Sequence, residues 1–264
     1  MPSATFSLPH QWHGHGPPLL LVSGLGSPGT SWQPFLTRAA ERWRVLTFDG
    51  PGCGSGPPLA DGAEIGELAG GVLRLLDELG VERLPLVGRS LGGMLAQELA
   101  LLAPDRFSHL VLVSTTGRTD AHLREVFRLW AQMAELGVSA ELRHRSSLLW
   151  CLGQEALERD DRIRAYLTAR ARSDRPRDYA IQARAAARHD ALERLRDLRV
   201  PTLVVSGSDD RLTPWLHAQT LARTIPGARL ATIPGAGHLP YLEAPRLFAD
   251  RVLGFLEPLE AQAS

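Results

Sequence analysis

A serine between two glycines lies where a short apolar run passes into an amphipathic segment. The pattern Gly-x-Ser-x-Gly occupies residues 88–92, with Ser90 at its centre. A serine on a sharp strand-to-helix turn has strained backbone geometry, and small residues two positions before and after it prevent a backbone collision. Ser90 would then project above a sheet edge as a nucleophile, and the N–H of Leu91 would help to stabilise an oxyanion. The alternative is a glycine-rich turn whose serine caps a helix.

A serine hydroxyl needs a base, and a loop late in the chain offers a histidine. Of the nine histidines, His238 follows an apolar run at residues 230–233 in a glycine-containing loop, which favours it as the base. Asp209 and Asp210 follow the run at residues 202–205. One aspartate can orient His238 while the other caps a helix or pairs with an arginine, and the spacing alone does not separate them. The alternative is that all three are turn and loop residues without a catalytic task.

The elements that would position these residues alternate along the chain. Short apolar runs cut by glycine or proline predict strands buried on both faces, and the segments between them have helical spacing. The runs lie at residues 19–22, 45–48, 84–87, 110–113, 202–205 and 230–233. The alternation predicts an α/β fold with a mostly parallel sheet, which collects catalytic groups at the carboxyl ends of its strands. Residues 6–12 also fit an antiparallel hairpin at the sheet edge.

The alternation stops between residues 117 and 198, where helical spacing continues without a buried-strand run. We therefore expect a core of residues 1–116 and 199–264, with residues 117–198 inserted as a helical cap, or lid. From residue 117 to residue 199 there are seventeen arginines against thirteen acidic residues. This surplus fits either a solvated helical surface or a lid that favours anionic substrates.

Aromatic and sulfur-containing side chains of the insert are the candidates for a substrate pocket over Ser90. They would exclude water and set the size of the substrate, or they pack the insert helices against one another, and the sequence leaves both interpretations open. These residues are Phe127, Trp130, Met133 and Trp150, together with Tyr166 and Tyr179.

The composition excludes several mechanisms and partners. All 29 basic residues are arginine, so a Schiff base, a Ser-Lys dyad and a P-loop lysine are excluded. The formal net charge is zero, so neither nucleic acid nor an anionic membrane is an expected partner. Cys53 and Cys151 form no metal-binding or disulfide pattern, and no signal peptide is evident. We expect a cytoplasmic protein that needs no metal and no cofactor.

Together these features resemble the α/β-hydrolase family over nearly the whole chain outside the insert. Residues 23–26, Ser-Gly-Leu-Gly, are similar to the family's first loop, with Ser23 in place of its histidine. Residues 49–54 resemble its Asp-x-[Arg/Pro]-Gly-x-Gly loop. The resemblance implies a mostly parallel sheet of eight strands and the backbone N–H of Leu25 as a second oxyanion donor. It also implies that Asp210, the last position of a Gly-x-x-Asp turn, is the catalytic acid.

The residues look most like small cytosolic esterases, enol-lactonases and aminoacrylate hydrolases. Serine as the nucleophile disfavours the haloalkane dehalogenase and epoxide hydrolase branches, which use aspartate. We expect a hydrolase that cleaves a small carboxylic ester, thioester or lactone through an acyl-enzyme on Ser90. A hydrolase of carbon–carbon bonds in diketones, an acyltransferase and a non-catalytic small-molecule receptor are the alternatives on the same fold.

Overall fold

A seven-stranded sheet runs through the centre of the described chain. The computed structural model describes residues 8–159, 161 and 174–257. The sheet has the strand order β1-β3-β2-β4-β5-β6-β7, and every neighbouring pair is parallel except β1 with β3. Its strands are β1 (His10–His13), β2 (Pro18–Val22), β3 (Arg44–Phe48), β4 (Leu84–Arg89), β5 (Phe107–Val113), β6 (Thr202–Gly207) and β7 (Arg229–Ile233).

The predicted α/β fold with a mostly parallel sheet is confirmed, and each of the six apolar runs falls within a strand. The expected eight strands are wrong for the described residues, which contain seven. The start of the chain contributes one antiparallel edge strand, and residues 6 and 7 of the expected hairpin lie outside the described residues. Strand β7 is not buried on both faces, because it lies at the sheet edge, and Leu230 is 36% exposed.

Strand β4 occupies the middle of the sheet although it contains a proline. Its pairing with β5 shifts register between Leu84 and Leu86. Pro85 has no N–H to donate to a ladder, and such irregularities are where a sheet accepts proline. The pairing is regular again from Leu86 to Arg89, so the carboxyl end of β4 is held firmly between β2 and β5.

Helices cover the sheet, and the described residues between β5 and β6 also form helices. Helix α3 is buried from Leu91 to Ala100, so the turn that precedes it has little freedom to move. Among the described residues, no helix has both the length and the apolar character needed to cross a membrane. The helices are α1 (Gln33–Ala39), α2 (Ile65–Glu78), α3 (Leu91–Leu102), α4 (Ala121–Glu135), α5 (Ala140–Cys151), α6 (Gln154–Leu157), α7 (Pro176–Arg188), α8 (Trp215–Thr224), α9 (Pro240–Glu243) and α10 (Pro245–Leu256).

The two ends of the insert meet beside the sheet. Arg118 and Asp190 form an isolated antiparallel bridge, and the Nε of Arg118 donates to Oδ2 of Asp190 over 2.8 Å. Helix α4 begins after Asp120, whose side chain accepts the N–H of Leu123. Asp120 satisfies a donor that the first turn of a helix cannot pair internally. The insert therefore leaves and re-enters the core at one place.

Candidate active site

Ser90 stands on a strained turn between β4 and α3. Its φ is 55° and its ψ is −125°, a region that costs a non-glycine residue about 1–3 kcal/mol. A Cβ on Gly88 would lie 2.7 Å from Cβ of Ala96, and one on Gly92 would lie 2.7 Å from the carbonyl carbon of Val22. The glycines two positions before and after the serine are thus required by close packing, as the sequence pattern predicts.

The Ser90 turn is fixed by hydrogen bonds of its backbone. Its N–H donates to the carbonyl of Val113 over 2.9 Å, and its carbonyl accepts the hydroxyl of Thr115 over 2.8 Å. Ser90 occupies the N-cap position of α3, but its side chain makes no capping hydrogen bond. The alternative of a serine that serves as a helix cap therefore does not describe this turn.

Asp210 lies in the turn after β6 with its carboxylate buried and fully paired. Oδ1 accepts the N–H groups of Leu212 and Thr213 over 3.0 and 2.9 Å. Oδ2 accepts the hydroxyl of Thr213 over 2.8 Å and the Nδ1–H of His238 over 2.9 Å. The neighbouring Asp209 instead accepts the hydroxyl of Ser208 over 2.8 Å. The fold thus separates two aspartates that spacing alone leaves equivalent.

His238 lies in the loop after β7, and only 3% of its surface is exposed. A carboxylate can only accept hydrogen bonds, so its contact with Asp210 assigns the proton to Nδ1. Nε2 then carries a lone pair; it is buried and has no hydrogen-bond partner within the described part of the chain. The backbone N–H of His238 donates to the carbonyl of Cys151 over 2.8 Å, which joins the histidine loop to helix α5.

Ser90 and His238 line one small cavity of about 30 Å³, and part of its wall comes from the insert. The cavity holds about two or three water molecules at most, since a single water needs about 10–15 Å³. Its lining combines apolar and aromatic side chains with Ser90, His238 and one arginine. The lining residues are Leu25, Arg89, Ser90, Phe127, Trp130, Ser147, Cys151, Tyr179, Leu212, His238 and Leu239.

The two backbone groups expected to form an oxyanion hole lie on either side of Ser90. Leu91 is the first residue of α3, so its N–H has no acceptor within the helix. Leu25 lies in the loop after β2 and lines the cavity with Ser90. A Cβ on Gly24 would be 3.1 Å from Cβ of Ser90, so this loop packs tightly against the serine. Gly26 anchors it by donating to Gln182 of α7 over 2.9 Å.

Only part of the expected aromatic pocket surrounds this cavity. Phe127 and Trp130 line it, and Tyr179 does so as well. Met133 and Trp150 do not line it, and their expected place in a substrate pocket stays a prediction. Met133 lies almost one turn beyond Trp130 on α4, where it packs on the core and contacts the hydroxyl of Ser146.

On helix α5 the cavity is lined by residues four apart, Ser147 and Cys151. Trp150 is rotated away from that face, and its ring packs against His122 with centroids 5.3 Å apart. Tyr166 lies outside the described residues. Spacing along a helix predicted that aromatic residues would face the core, but not which turn of the helix would reach Ser90.

Arg89 is a cavity residue without a carboxylate partner in the described part of the chain. It is 4% exposed, and its Nη2 donates to the hydroxyl of Ser31 over 2.9 Å. Its guanidinium carbon lies 4.9 Å from the ring centre of Tyr241 and 5.5 Å from that of Trp32. Aromatic faces stabilise a buried cation, so these contacts fit a structural role beneath the turn.

Sequence reasoning missed Glu243 of α9, which braces the histidine loop. Its Oε2 accepts the N–H groups of Gly153 and Gly237 over 2.8 and 3.0 Å, and Oε1 accepts that of Leu239 over 3.2 Å. Burial is the main cause that raises the pKa of Glu243, and the negative charge of Asp210 adds to it, against the three N–H donors. The available signal in the sequence was that Glu243 follows His238 by five residues.

Five arginines of the insert line a separate groove of about 510 Å³, which shares no residue with the Ser90 cavity. Of the described residues lining the Ser90 cavity, none is an arginine from the insert. Among the described residues, no group of three or more histidine, cysteine or acidic side chains is placed to hold a metal ion. The arginines of the groove are Arg118, Arg124, Arg128, Arg184 and Arg188.

Several known proteins to which this chain is similar are named as hydrolases. A family model described as alpha/beta hydrolase fold matches residues 17–245. A protein named as carbamate hydrolase RutD, from Azorhizobium caulinodans, is 32% identical over 251 residues, or 93% of each chain. The enol-lactonase from Burkholderia xenovorans superposes with a TM-score of 0.88 at 26% identity, covering 95% of this chain and 96% of its own.

A thermophilic esterase from Thermogutta terrifontis is similar as well, with a TM-score of 0.86 at 27% identity over 95% of this chain and 93% of its own. The match of the family model spans far more than half of the sequence, and the sheet order and the turn at Ser90 agree with it. The chain is therefore a member of the α/β-hydrolase fold family and a hydrolase of that fold.

Proposed function

We propose that this hydrolase cleaves a small, uncharged carboxylic ester or lactone through an acyl-enzyme on Ser90. One observation carries the proposal: His238 holds its Nδ1–H on Asp210 and leaves a buried, unpartnered Nε2 in the part of the chain described. The same residue lines the small cavity together with Ser90. This arrangement is what a base needs to remove the proton of a serine hydroxyl.

In the first step, Oγ of Ser90 attacks the substrate carbonyl while Nε2 of His238 takes the hydroxyl proton. The carbonyl oxygen becomes negatively charged and accepts the N–H groups of Leu25 and Leu91. When the tetrahedral intermediate collapses, the bond to the leaving oxygen breaks, and His238 returns the proton to that oxygen. The product of this step is an ester of Ser90 and a free alcohol or enol.

In the second step, water attacks the acyl-enzyme and gives its proton to Nε2 of His238. The new tetrahedral intermediate uses the same two N–H groups, and its collapse expels the Ser90 oxygen, which recovers the proton. Asp210 stays ionised throughout and stabilises the positive charge of His238 in each half-reaction. The free carboxylic acid then leaves and the starting enzyme is restored.

The insert acts as a lid in this proposal. Five residues of the cavity wall come from it, and the cavity volume of about 30 Å³ is too small for a drug-sized ligand. Entry of a substrate then requires the described helices that carry these residues, α4, α5 and α7, to move away from the core, and closure removes water from the reacting atoms. The five residues are Phe127, Trp130, Ser147, Cys151 and Tyr179.

Small ester or lactone substrates are supported by the apolar wall and by the relatives. A tight apolar cavity suits a short acyl group, and an esterase and an enol-lactonase superpose over nearly the entire chain. Hydrolysis of a carbamate is the second candidate, because several curated relatives at 29–32% identity carry that name. The triad would attack the carbamate carbonyl in the same way, with a different leaving group.

The test is turnover of short p-nitrophenyl esters, lactones and carbamates by the wild type, Ser90→Ala and Ser114→Ala. Ser114 is a matched control, because it also has positive φ, at 47°, and is buried at the end of a neighbouring strand, yet it does not line the cavity. We expect Ser90→Ala to lose turnover by a factor of about 10⁴ or more and Ser114→Ala to keep it. Equal activity in both variants would refute Ser90 as the nucleophile.

The assays also separate the remaining alternatives. Tight ligand binding without turnover would favour a receptor, and product formed with an added alcohol or thiol in place of water would favour an acyltransferase. Cleavage of a diketone in preference to every ester would favour the carbon–carbon hydrolase. A mass increase on Ser90 after brief reaction with an ester supports an acyl-enzyme. A carboxylic acyl-enzyme is common to every catalytic candidate except carbamate cleavage.

A further inference from the structure

Trp130 lies in the wall of the candidate cavity and carries a buried polar group. It belongs to helix α4, is 5% exposed and lines the cavity together with Ser90 and His238. Its indole Nε1–H is buried and has no hydrogen-bond acceptor within the described residues. A tryptophan in a dry interior normally finds a partner for this group.

Packing alone does not call for an indole at this position. The rings of Phe127 and Trp130 meet edge to face with centroids 5.9 Å apart, a contact that a phenylalanine at position 130 would also make. A buried donor without an acceptor destabilises the fold, whereas an apolar ring of similar shape does not. Burial of an unpaired donor in a substrate cavity is explained when the substrate brings the acceptor.

The other polar groups of the cavity already have tasks in the proposed mechanism or in the fold. Arg89 also has an unpartnered Nε in the described structure, but its guanidinium is held below the Ser90 turn by Ser31 and Tyr241. The N–H groups of Leu25 and Leu91 are assigned to the reacting carbonyl. The indole N–H of Trp130, which comes from the insert, has no task in either the mechanism or the fold.

We propose that Trp130 determines specificity by donating its Nε1–H to a second oxygen of the substrate. The substrate class is then a small ester or lactone whose acyl part carries an uncharged acceptor, such as an ether or keto oxygen, besides the carbonyl that is attacked. This inference rests on the proposed function, because it assumes that the cavity shared by Ser90 and His238 binds the acyl group.

The test compares two esters of equal length, p-nitrophenyl methoxyacetate and p-nitrophenyl butyrate, which differ by an oxygen in place of a methylene. The quantity measured is the ratio of their kcat/KM values. When this ratio is compared between the wild type and a variant, the intrinsic reactivity of each ester cancels. In Trp130→Phe we expect this ratio to fall by about 3- to 10-fold, and a circular dichroism melting curve shows that the variant is folded.

Trp32→Phe is the matched control. Trp32 also has a buried Nε1 without a partner in the described residues, but it packs between Phe35 and Tyr241 and does not line the cavity. We expect its ester ratio to equal that of the wild type. An unchanged ratio in Trp130→Phe, or an equal fall in both variants, would overturn the role of Trp130.

A second measurement distinguishes this inference from the proposed function. The ketones 1-methoxypropan-2-one and pentan-2-one have no leaving group, and their Kd values are obtained by calorimetry with the wild type and Trp130→Phe. If the wild type cleaves neither ester but its preference for the methoxy ketone disappears in Trp130→Phe, the donor role stands and ester hydrolysis fails. The other outcome is that Ser90→Ala abolishes ester turnover while Trp130→Phe leaves both the ratio of ester kcat/KM values and the ratio of ketone Kd values unchanged. In that case only the inference about Trp130 fails.

Discussion

Replacement of Asp210 by asparagine keeps the size of the side chain and changes which of its atoms accept hydrogen bonds. Oδ1 accepts two backbone N–H groups, so the amide oxygen must take that position. The amide NH₂ then stands where Oδ2 accepts the hydroxyl of Thr213 and the Nδ1–H of His238. Because an NH₂ group donates, the imidazole must turn to the tautomer with its proton on Nε2, and it can no longer take a proton from Ser90.

The expected consequence is a loss of about 10⁴-fold in kcat, with little change in the binding of substrate. This factor corresponds to about 5.5 kcal/mol of lost transition-state stabilisation. Asp209→Asn is the matched control, since the Asp209 side chain accepts the hydroxyl of Ser208 and belongs to the same turn. We expect Asp209→Asn to keep kcat within about threefold of the wild type, because surface changes rarely disturb a buried site.

The assay is the hydrolysis of p-nitrophenyl acetate near neutral pH, with circular dichroism melting curves to show that each variant is folded. Nitrogen NMR of the His238 ring adds a direct measurement, because the protonated nitrogen should change from Nδ1 to Nε2 in Asp210→Asn. The reasoning is refuted if Asp210→Asn retains more than a tenth of wild-type kcat, or if the two asparagine variants lose activity equally.

Three further predictions concern stability, measured by urea denaturation. Burial, with a contribution from Arg194, lowers the pKa of His189 from 6.5 to about 4, so on acidification the unfolded chain binds the proton before the folded chain does. The free energy of unfolding should therefore fall by about 3 kcal/mol between pH 6.5 and 4, and the fall should be smaller in His189→Asn. Glu243→Ala removes the acceptor of three backbone N–H groups and should lower the free energy of unfolding by about 2–4 kcal/mol. A decrease below about 0.5 kcal/mol would contradict this prediction. Gly88→Ala places a Cβ 2.7 Å from that of Ala96 and should cost about 1–3 kcal/mol, with equal stability as the contrary result.

Local chemistry explains why much of the site could be read from the sequence. The Gly-x-Ser-x-Gly pattern marks the turn at Ser90 within five residues, although the groups that Gly88 and Gly92 avoid include Ala96 and, from a distant strand, Val22. The loop of His238 follows an apolar run that forms the last strand, so its place at the carboxyl edge follows from the parallel sheet.

The choice between Asp209 and Asp210 could not be made from spacing, because it depends on a contact with His238, 28 residues away. The resemblance to a family favoured Asp210, and the hydrogen bonds of Thr213 show the physical reason, since they aim both carboxylate oxygens of Asp210 into the site. A pattern in one strand carries no information about which side chain a distant loop will meet.

The sequence by itself determined the order of the elements, the strained turn at Ser90 and the candidates for acid and base, because these follow from periodicity and from glycine and proline chemistry nearby. Tertiary structure alone decided that Trp130 reaches the cavity while Met133 and Trp150 do not, and that the His238 loop is braced by Glu243. These features depend on how one helix is rotated against another and on contacts between distant segments, which are set by the packing of the whole chain and not by the order of residues within any segment.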